Sequence, residues 1–413
     1  RPADSAPRTV MAFTTLLALT TGGYALLIGG LAVAAWRAAK QPQPLPLADD
    51  ALPRAGVLVA ARNEEHTLGR CLEALLAQDY PADRLTIYVA NDHSTDRTAE
   101  VVEQYRCETN HHRLVYERAL ALGSDQQVTA GNEAENDARP VPRIVAVQVG
   151  EPAGSLQGKA NALHSAIGAC DEEVLLVTDA DCAPPPHWAR RMVEHLVEKP
   201  HRGAVAGQSL VDGDGLVASV QALDWSYLLT SASGLAFLGR ATTAMGNNMA
   251  FCRQAYKAVG GYPALPFSVT EDYELWRQIG LQPAFDTVFL SDERTTNRTL
   301  PLAQLRDLYM QRRRWARGGL RAQLWLYLGY VLTHLAHLLP LIGLFVAPLT
   351  TLAVLSAKWA AEIGLLWVGL AQGGRRHRLW AFPVFQVVLH GYMSTLPYVL
   401  LFFPRIEWKE RTL

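Results

Sequence analysis

The chain has 413 residues, of which 49% are hydrophobic and 19% are charged, and its formal net charge is −1. The five cysteines are odd in number and form no C-x-x-C pair. This excludes a disulfide framework and a zinc site of the usual spacing, and fits a reducing compartment. A net charge near zero identifies no partner by itself, and we expect none among nucleic acids.

The first hydrophobic segment lies near the start of the chain. Residues 11–36 contain no charged residue, and a bilayer core requires roughly 20 helical residues. Residues 32–34 (Ala-Val-Ala) imitate a signal-peptidase site, but the apolar run exceeds the ~7 to 15 residues of a signal core. We therefore predict a retained transmembrane anchor over residues 1–40.

The middle of the chain alternates short apolar runs with helical patterns. The runs that predict buried strands are residues 56–61, 85–90, 143–149, 173–182 and 203–211. Helical spacing is found at residues 68–75, 96–105 and 158–170. This alternation predicts an α/β fold with a mostly parallel sheet covered by helices on both faces.

Two stretches of the middle are less regular. Residues 119–140 are polar and contain no aromatic side chain, so we predict a mobile excursion there. Residues 220–239 are apolar at helical spacing, which is typical of an amphipathic helix on a membrane surface and equally of a core helix. The pattern alone leaves both alternatives open.

Acidic residues follow one of the predicted strands. In "VTDADCAPPP", Asp179 and Asp181 lie where the strand ends, at the sheet edge where α/β proteins bind ligands. On a turning loop both carboxylates can reach one divalent cation and its phosphates. The alternative is a solvated loop in which Asp serves only as a turn former.

Two more strand ends carry polar loops, "VAARNEE" and "VANDHSTDRT". In the second, the Asp92 carboxylate can accept the N3–H of uracil, whereas Ser94 or Thr95 can simply cap the next helix. Lys159, in "GKANAL" at a helix start, is a candidate phosphate ligand together with the N–H groups of that helix.

The last part of the chain is hydrophobic again. Between Leu324 and Leu370 the only charged residues are Lys358 and Glu362, so this tract fits two spans. A third stretch covers residues 379–403. We expect about four membrane segments in all, and whether one of the last three lies flat at the interface stays open.

Basic residues predict the orientation. Arg37 and Lys40 follow the first span and an arginine-rich segment, 312–321, precedes the second, so the middle domain is expected in the cytoplasm. The last hydrophobic segment has positive charge on both sides, at 375–378 and at 404–411. Either one of these two orientation signals is overridden, or this segment does not cross the membrane. We expect an integral protein of a bacterial inner membrane.

The motifs "VAARNEE", "VANDHSTD", "GKANAL", "DADC", "GNNMAF", "TEDYEL" and "QRRRW" occur in this order. Together they resemble the membrane-bound inverting glycosyltransferases of GT-A fold, the branch with cellulose, chitin and hyaluronan synthases and ceramide glucosyltransferase. The resemblance covers residues 56 to about 320. The sequence departs from the family pattern at Asn91, where the family has a first Asp, and at Glu410, which replaces a glycine of the tail.

The resemblance implies roles for single residues on the donor side. Asp272 matches the catalytic base, although beside Glu271 and Glu274 it can also be an ordinary acid at a helix start. Asp181 would hold Mg²⁺ or Mn²⁺. The residues implied to bind the nucleotide sugar are Ala60, Glu64, Asp92, Lys159, Asp179 and Arg314.

The resemblance also implies an acceptor side. Trp315 of "QRRRW" would offer its flat face to the acceptor, and the other implied contacts are Gly246, Asn247, Glu271 and Gln311. A tight turn explains Gly246 and Asn247 nearly as well. The remaining arginines of this segment, Arg312, Arg313, Arg317 and Arg321, are expected to face anionic headgroups, or to serve as a topology signal and nothing else.

The expected protein has three parts: the anchor, a cytoplasmic GT-A domain at residues 50–320, and C-terminal membrane segments with a basic tail at 321–413. It is expected to transfer a sugar from a nucleotide-linked donor, in the first instance a UDP-sugar, to a lipid acceptor. The alternatives are a processive polysaccharide synthase and a non-catalytic scaffold that binds sugar nucleotides or lipids.

Overall fold

A computed structural model describes residues 5–121, 140–152, 156–240, 243–266, 268, 270–319, 324–403, 407–408 and 411–412. The central sheet has seven strands in the order β3-β2-β1-β4-β7-β5-β8, all parallel except β7. The strands are β1 (Ala55–Ala61), β2 (Leu85–Asn91), β3 (Arg143–Gln148), β4 (Val174–Asp179), β5 (Arg202–Ala206), β6 (Ser209–Val211), β7 (Met249–Cys252), β8 (Asp286–Phe289), β9 (Asn297–Thr299), β10 (Glu407–Trp408) and β11 (Arg411–Thr412).

The helices cover the sheet or form the hydrophobic ends of the chain. They are α1 (Ser5–Ala38), α2 (Leu68–Leu76), α3 (Thr98–Ala121), α4 (Gly158–Gly168), α5 (Trp188–Val197), α6 (Gly215–Phe237), α7 (Arg253–Ala258), α8 (Gly261–Ala264), α9 (Glu271–Leu281), α10 (Leu305–Gly319), α11 (Leu324–Val346), α12 (Pro348–Ala371) and α13 (Phe382–Phe402). The predicted α/β architecture is confirmed.

Burial on both faces explains why the strands read as continuous apolar runs. Side chains of β1 such as Leu58 pack into one core with α4 and α6, whereas Val57 and Val59 pack into a second core with α2 and α5. On α2, the apolar residues at helical spacing are the ones that are buried against the sheet.

Three expectations about element bounds need correction. The strand expected at 203–211 is two strands, β5 and β6, interrupted at Gly207, where a Cβ would lie 2.7 Å from Nδ2 of Asn248. The strand expected at 173–182 ends at Asp179. Helix α3 continues to Ala121, well beyond the predicted 105, and most of the expected excursion at 119–140 lies outside the described residues.

Helix α6 answers the question that residues 220–239 left open. It is a buried core helix: Trp225 packs into the core beneath the sheet, and Leu223 and Tyr227 pack against the hydrophobic helices. Helix α6 therefore joins the α/β domain to the hydrophobic helices, and its apolar residues are buried on more than one side.

Among the described residues, four helices are long and apolar enough to cross a membrane: Arg8–Ala38, Trp325–Val346, Pro348–Ala371 and Arg376–Phe402. This matches the expected number. The two charges inside the C-terminal tract pair with each other, since Nζ of Lys358 lies 2.8 Å from Oε1 of Glu362. The amide of Gln386 on α13 and the hydroxyl of Tyr24 on α1 donate to the same carboxylate, at 2.9 and 2.7 Å.

Helix α13 contacts the α/β domain at both of its ends. Just before it begins, the guanidinium of Arg378 donates to the carbonyl of Gly213, and where it ends Arg313 of α10 donates to the carbonyl of Phe403 at 2.5 Å. A helix of this length spans roughly 30 Å, so it lies along the domain.

Candidate active site

The sheet brings three strand ends together. Ala60, near the end of β1, lies opposite Ala90 on β2 and opposite Asp179 at the end of β4. The loops that follow these parallel strands therefore leave the sheet side by side, as the sequence predicted. Asp181 follows two residues after β4, in the same group of loops.

The loops after β1 and β2 are tied to each other by side chains. The Asn63 and Glu64 backbone N–H groups donate to the hydroxyls of Ser94 and Thr98, at 3.1 and 2.8 Å. The N–H at the start of α3 donates to Asp96, at 3.0 Å, so neither Ser94 nor Thr95 caps this helix. These contacts fix the position of Glu64 relative to the second loop.

Asp92 follows β2 and lies at one end of the group of loops that leaves the sheet. Its carboxylate is buried, with Nη1 of Arg62 3.8 Å from Oδ2. It lines a pocket together with His93, Gly158 and Asn161, on the side where α4 begins. A planar group that enters this pocket would meet a carboxylate acceptor, as the uracil hypothesis requires.

Lys159 lies at the centre of an acidic cluster. Its Nζ is 2.6 Å from Oδ1 of Asp179, 3.5 Å from Oε1 of Glu271 and 3.5 Å from the carbonyl oxygen of Gly246. Burial alone would lower the pKa of Lys159, but Asp179, Glu271 and Asp272 outweigh it and raise the pKa above its usual value. The lysine is therefore firmly cationic.

Asp272 begins α9 and faces this cluster. Its Oδ2 accepts a hydrogen bond of 2.5 Å from the Gly246 N–H, and Oδ1 accepts one of 2.8 Å from the Tyr273 N–H. These two hydrogen bonds fix the direction of the carboxylate. A Cβ at Gly246 would lie 2.6 Å from Oδ2 of Asp272 and 2.9 Å from Nζ of Lys159, so this position requires glycine.

Glu271 and Arg314 belong to the same cluster. Burial raises the pKa of Glu271; Lys159 opposes this effect and Asp272 adds to it. Burial lowers the pKa of Arg314, and the nearby carboxylates of Glu271, Asp272 and Asp179 oppose that. Helix α10 therefore delivers Arg314 to the group formed by α4, α9 and the end of β4.

The carboxylates at the end of β4 fit a divalent cation. Burial, together with the carboxylates of Asp179 and Glu64, raises the pKa of Asp181 to about 6, although Cys182 and Lys159 oppose this shift. Buried acids that destabilise one another in this way are stabilised by a cation. Among the described residues there is no group of three or more His, Cys, Asp or Glu that could hold a metal ion, so donor phosphates would have to complete the coordination.

Trp315 lies beside the cluster on α10. It is partly buried and makes an edge-to-face contact with Trp225 of α6, with ring centroids 5.2 Å apart. The guanidinium carbon of Arg312 lies 4.0 Å from its ring centroid, within cation–π range. Gln311 accepts a 3.0 Å hydrogen bond from Arg312.

The expectation that Arg312 faces lipid headgroups is wrong. Its side chain is only 3% exposed and forms an ion pair with the fully buried Asp224, with Nε 2.6 Å from Oδ2. Tyr392 of α13 donates to the other oxygen of Asp224 at 2.6 Å. Sequence reasoning missed Asp224, although an Asp inside the apolar stretch 220–239 was a signal.

The other basic residues of α10 differ from Arg312. Arg313 donates to Phe403, as described above, and Arg317 is exposed, which is compatible with a headgroup contact. Arg321 lies outside the described residues.

Asn247 lies in a buried network of amides. Its side-chain oxygen accepts from Oγ of Ser209 at 2.8 Å, and its carbonyl accepts from Nδ2 of Asn297 at 2.5 Å. Asn297 also donates to the hydroxyl of Thr178 at 2.9 Å. Asn247 therefore stabilises the loop that carries Gly246, and its contact with an acceptor stays a prediction.

These features define a class of protein. A mostly parallel α/β sheet with acidic residues, a lysine and an arginine gathered at its strand ends is the GT-A fold of nucleotide-sugar glycosyltransferases. The structure is similar to that of mannosyltransferase PcManGT from Pyrobaculum calidifontis, solved in complex with GDP-Man and Mn²⁺. The TM-score is 0.56 at 21% identity, over 95% of this chain and 99% of that one.

The family follows from the sequence. The model "Glycosyl transferase family group 2" matches residues 174–403, more than half of the chain, and "Glycosyl transferase family 2" matches residues 56–132. The chain belongs to glycosyl transferase family group 2.

Two curated relatives have similar sequences. Beta-monoglucosyldiacylglycerol synthase from Synechocystis sp. is 26% identical over 310 residues, 71% of this chain and 55% of that protein. Poly-beta-1,6-N-acetyl-D-glucosamine synthase from Staphylococcus epidermidis is 24% identical over 264 residues, 63% of this chain and 53% of that protein. The chain thus spans about half the length of these relatives.

Proposed function

We propose that this protein transfers a sugar from a nucleotide-sugar donor, in the first instance a UDP-sugar, to a lipid acceptor at the membrane, with inversion at the anomeric carbon. The observation that carries the proposal is the cluster in which Asp272 lies beside Lys159, Asp179 and Arg314. A single displacement requires a base for the acceptor hydroxyl next to cations that stabilise a departing diphosphate.

The donor would lie across the strand-end loops, between Asp92 and the acidic cluster around Lys159. The Asp92 carboxylate accepts the N3–H of uracil. Ala60 and Glu64 lie beside the donor, at the end of the neighbouring strand β1. Asp179 contacts the nucleotide, and Lys159 and Arg314 bind the diphosphate. A Mg²⁺ or Mn²⁺ ion bound at Asp181 would supply further positive charge to the leaving group.

The acceptor would approach from the side of α9 and α10. Asp272, oriented by hydrogen bonds from two backbone N–H groups, takes the proton of the acceptor hydroxyl. Trp315 presents its ring to the acceptor, with Gln311, Glu271, Gly246 and Asn247 around it. The contact of Trp315 with Trp225 keeps this ring in place.

Two features support a lipid acceptor. One of the two relatives above is named a synthase of a glucosyldiacylglycerol. Helix α13 lies along the domain, so three of the four apolar helices are left to cross the membrane, which is little material for a polymer channel.

The polysaccharide synthase is the second candidate, because the other relative makes a polymer of N-acetylglucosamine by its name. The scaffold alternative is disfavoured since the metal and base carboxylates Asp179, Asp181 and Asp272 are all present.

We extend the proposal to the arrangement in the membrane. Residues 1–40 form an anchor, 50–320 a cytoplasmic catalytic domain, and 321–413 the C-terminal membrane segments, in a bacterial inner membrane. Support comes from Arg37 and Lys40, which lie at the end of α1 from which the chain enters the α/β domain.

The test is a transfer assay with detergent-purified protein, membrane lipid extract, Mn²⁺ and a panel of radiolabelled UDP-sugars and GDP-mannose. We expect one donor to place label in a discrete organic-soluble band. Label that stays at the origin and is released by a polysaccharide hydrolase would identify the polymer synthase. Absence of transfer from every donor, with intact donor binding, would support the scaffold.

A further inference from the structure

A second cavity lies where the end of α12 meets the α/β domain. Its volume is about 230 Å³, and its lining includes Leu210 and Asp212 after the sheet, Arg298 of β9, and Gln372 and Arg375 after α12. The residues that line it do not include those proposed above for donor, base or metal. It is therefore a separate place in the fold.

Positive charge exceeds negative charge around Asp212. Arg375 forms an ion pair with Oδ1 of Asp212, and Nη2 of Arg70 lies 3.5 Å from Oδ2. Burial would raise the pKa of Asp212, but Arg375, Arg298 and Arg70 lower it overall. Three guanidinium groups thus surround one carboxylate. Within the described ranges, the Arg298 side chain makes no hydrogen bond and no ion pair.

Gln372 gives an independent indication of a ligand. Its side chain is 8% exposed and lines the cavity, yet neither its amide nitrogen nor its amide oxygen has a hydrogen-bond partner in the described part of the chain. Buried amides are normally hydrogen-bonded, so this one is prepared for a group that occupies the cavity.

The cavity lies at the level expected for lipid headgroups. Trp367, before Gln372, is 49% exposed, and Trp380, after it, is 58% exposed. Exposed tryptophans of this kind mark the membrane–water interface. The Arg376 guanidinium lies 4.3 Å from the centre of the Trp367 ring, which adds a cation at the same level.

We propose that this cavity binds the phosphate group of an anionic membrane phospholipid. Phosphate oxygens accept hydrogen bonds from guanidinium groups, and Arg298 and the Gln372 amide supply donors that the protein itself does not use. The acyl chains would leave the cavity toward α12 and Trp367. The site is distinct from the acceptor site, so a lipid can remain bound while sugar is transferred elsewhere.

The test uses the full chain in a neutral detergent and measures binding of short-chain phosphatidylglycerol by native mass spectrometry. Phosphatidylcholine of the same chain length and inorganic phosphate are the other two probes. We expect Arg298→Gln to weaken phosphatidylglycerol binding by about tenfold. Gln372→Leu should weaken it as well, whereas Arg54→Gln, an exposed arginine just before β1, should leave it unchanged.

The binding measurements can contradict the proposal in two ways. Equal phosphatidylglycerol binding by the wild type, Arg298→Gln and Gln372→Leu would overturn the proposal. Inorganic phosphate binding as tightly as the lipid would assign the cavity to free phosphate and overturn the lipid source. Lipid binding is compared only between variants whose thermal unfolding midpoints equal that of the wild type. Arg298→Gln should meet this condition because it removes no contact seen within the described residues.

Discussion

Arg312 on α10 and Asp224 on α6 form an ion pair that is buried on both sides, with exposures of 3% and 0%. The same guanidinium lies over the ring of Trp315, and Tyr392 of α13 donates to the same carboxylate. The pair therefore ties together the helix that carries Arg314 and Trp315, the core helix beneath the sheet and the last hydrophobic helix.

Replacing Asp224 with Asn should destabilise the protein by about 3–5 kcal/mol, because Arg312 would be left as a buried charge without its partner. Thermal unfolding in detergent measures this. The double variant Asp224→Leu with Arg312→Met should recover much of the stability, since a buried pair can be replaced by apolar groups of similar volume. Equal stability of Asp224→Asn and wild type would contradict the structural role.

Asp272→Asn should bind the donor as the wild type does and lose transfer by about 10²–10⁴-fold, because the amide cannot take a proton from the acceptor hydroxyl. Donor affinity is measured by calorimetry and transfer by the radiolabel assay. Asp83→Asn, an exposed acid before β2 at the opposite edge of the sheet, is the matched control. Full turnover in Asp272→Asn would remove this residue from the role of base.

Gly246→Ala should reduce transfer strongly while the protein stays folded. The added Cβ would lie 2.6 Å from Oδ2 of Asp272, and it must push the carboxylate or Lys159 out of position. Gly168→Ala is the control, because no atom lies within 4 Å of a Cβ there. If both variants have the same kcat and KM as the wild type, the contact of Gly246 with Asp272 does not matter for activity.

Lys358→Met should lower the thermal stability of the detergent-solubilised protein, because the buried Glu362 would lose its cation. We expect about 3–5 kcal/mol from the general cost of breaking a buried pair. Lys199→Met, at an exposed position, should have little effect. An unchanged unfolding midpoint for Lys358→Met would show that the pair contributes nothing to packing of the helices.

Chelation should abolish transfer, and added Mn²⁺ or Mg²⁺ should restore it, since Asp181 is proposed to hold the ion. Asp181→Asn should bind the donor more weakly and respond less to added metal. The comparison is made by titrating Mn²⁺ into metal-depleted wild type and variant. Undiminished transfer in excess chelator would exclude a metal at Asp181.

Burial on both faces leaves a continuous apolar signal, and this made β1, β2, β4 and β5 predictable. Strand β3 was predicted as well, whereas β7 and β8 of the same sheet were not. Helix α5 was not predicted, and the reason is physical. It buries the charged side chains Arg191 and Glu194, and Arg191 pairs with Asp292, which is remote in sequence. The apolar residues Trp188, Met192 and Leu196 do recur at helical spacing, but the charged residues that interrupt them obscured this stripe.

The residues of the candidate site also divide into those that the sequence predicts and those that only the fold shows. Strand-end positions such as Ala60, Asp92 and Asp179 follow from the alternation of strands and helices, and the resemblance supplied the other motif residues. Arg312 looked like one of several surface arginines, because only the fold brings Asp224 next to it. Similarly, the amide network around Asn247 joins residues far apart in the chain and leaves no local pattern.

The central claim is inverting transfer to a lipid, and the structure of the product tests it most directly. With the donor identified in the panel assay, the labelled product is isolated and analysed by mass spectrometry and by NMR of its anomeric proton. We predict a lipid that carries a single β-linked sugar when the donor is α-linked. An α-linked product would contradict inversion, and a ladder of polymer masses would contradict the lipid acceptor.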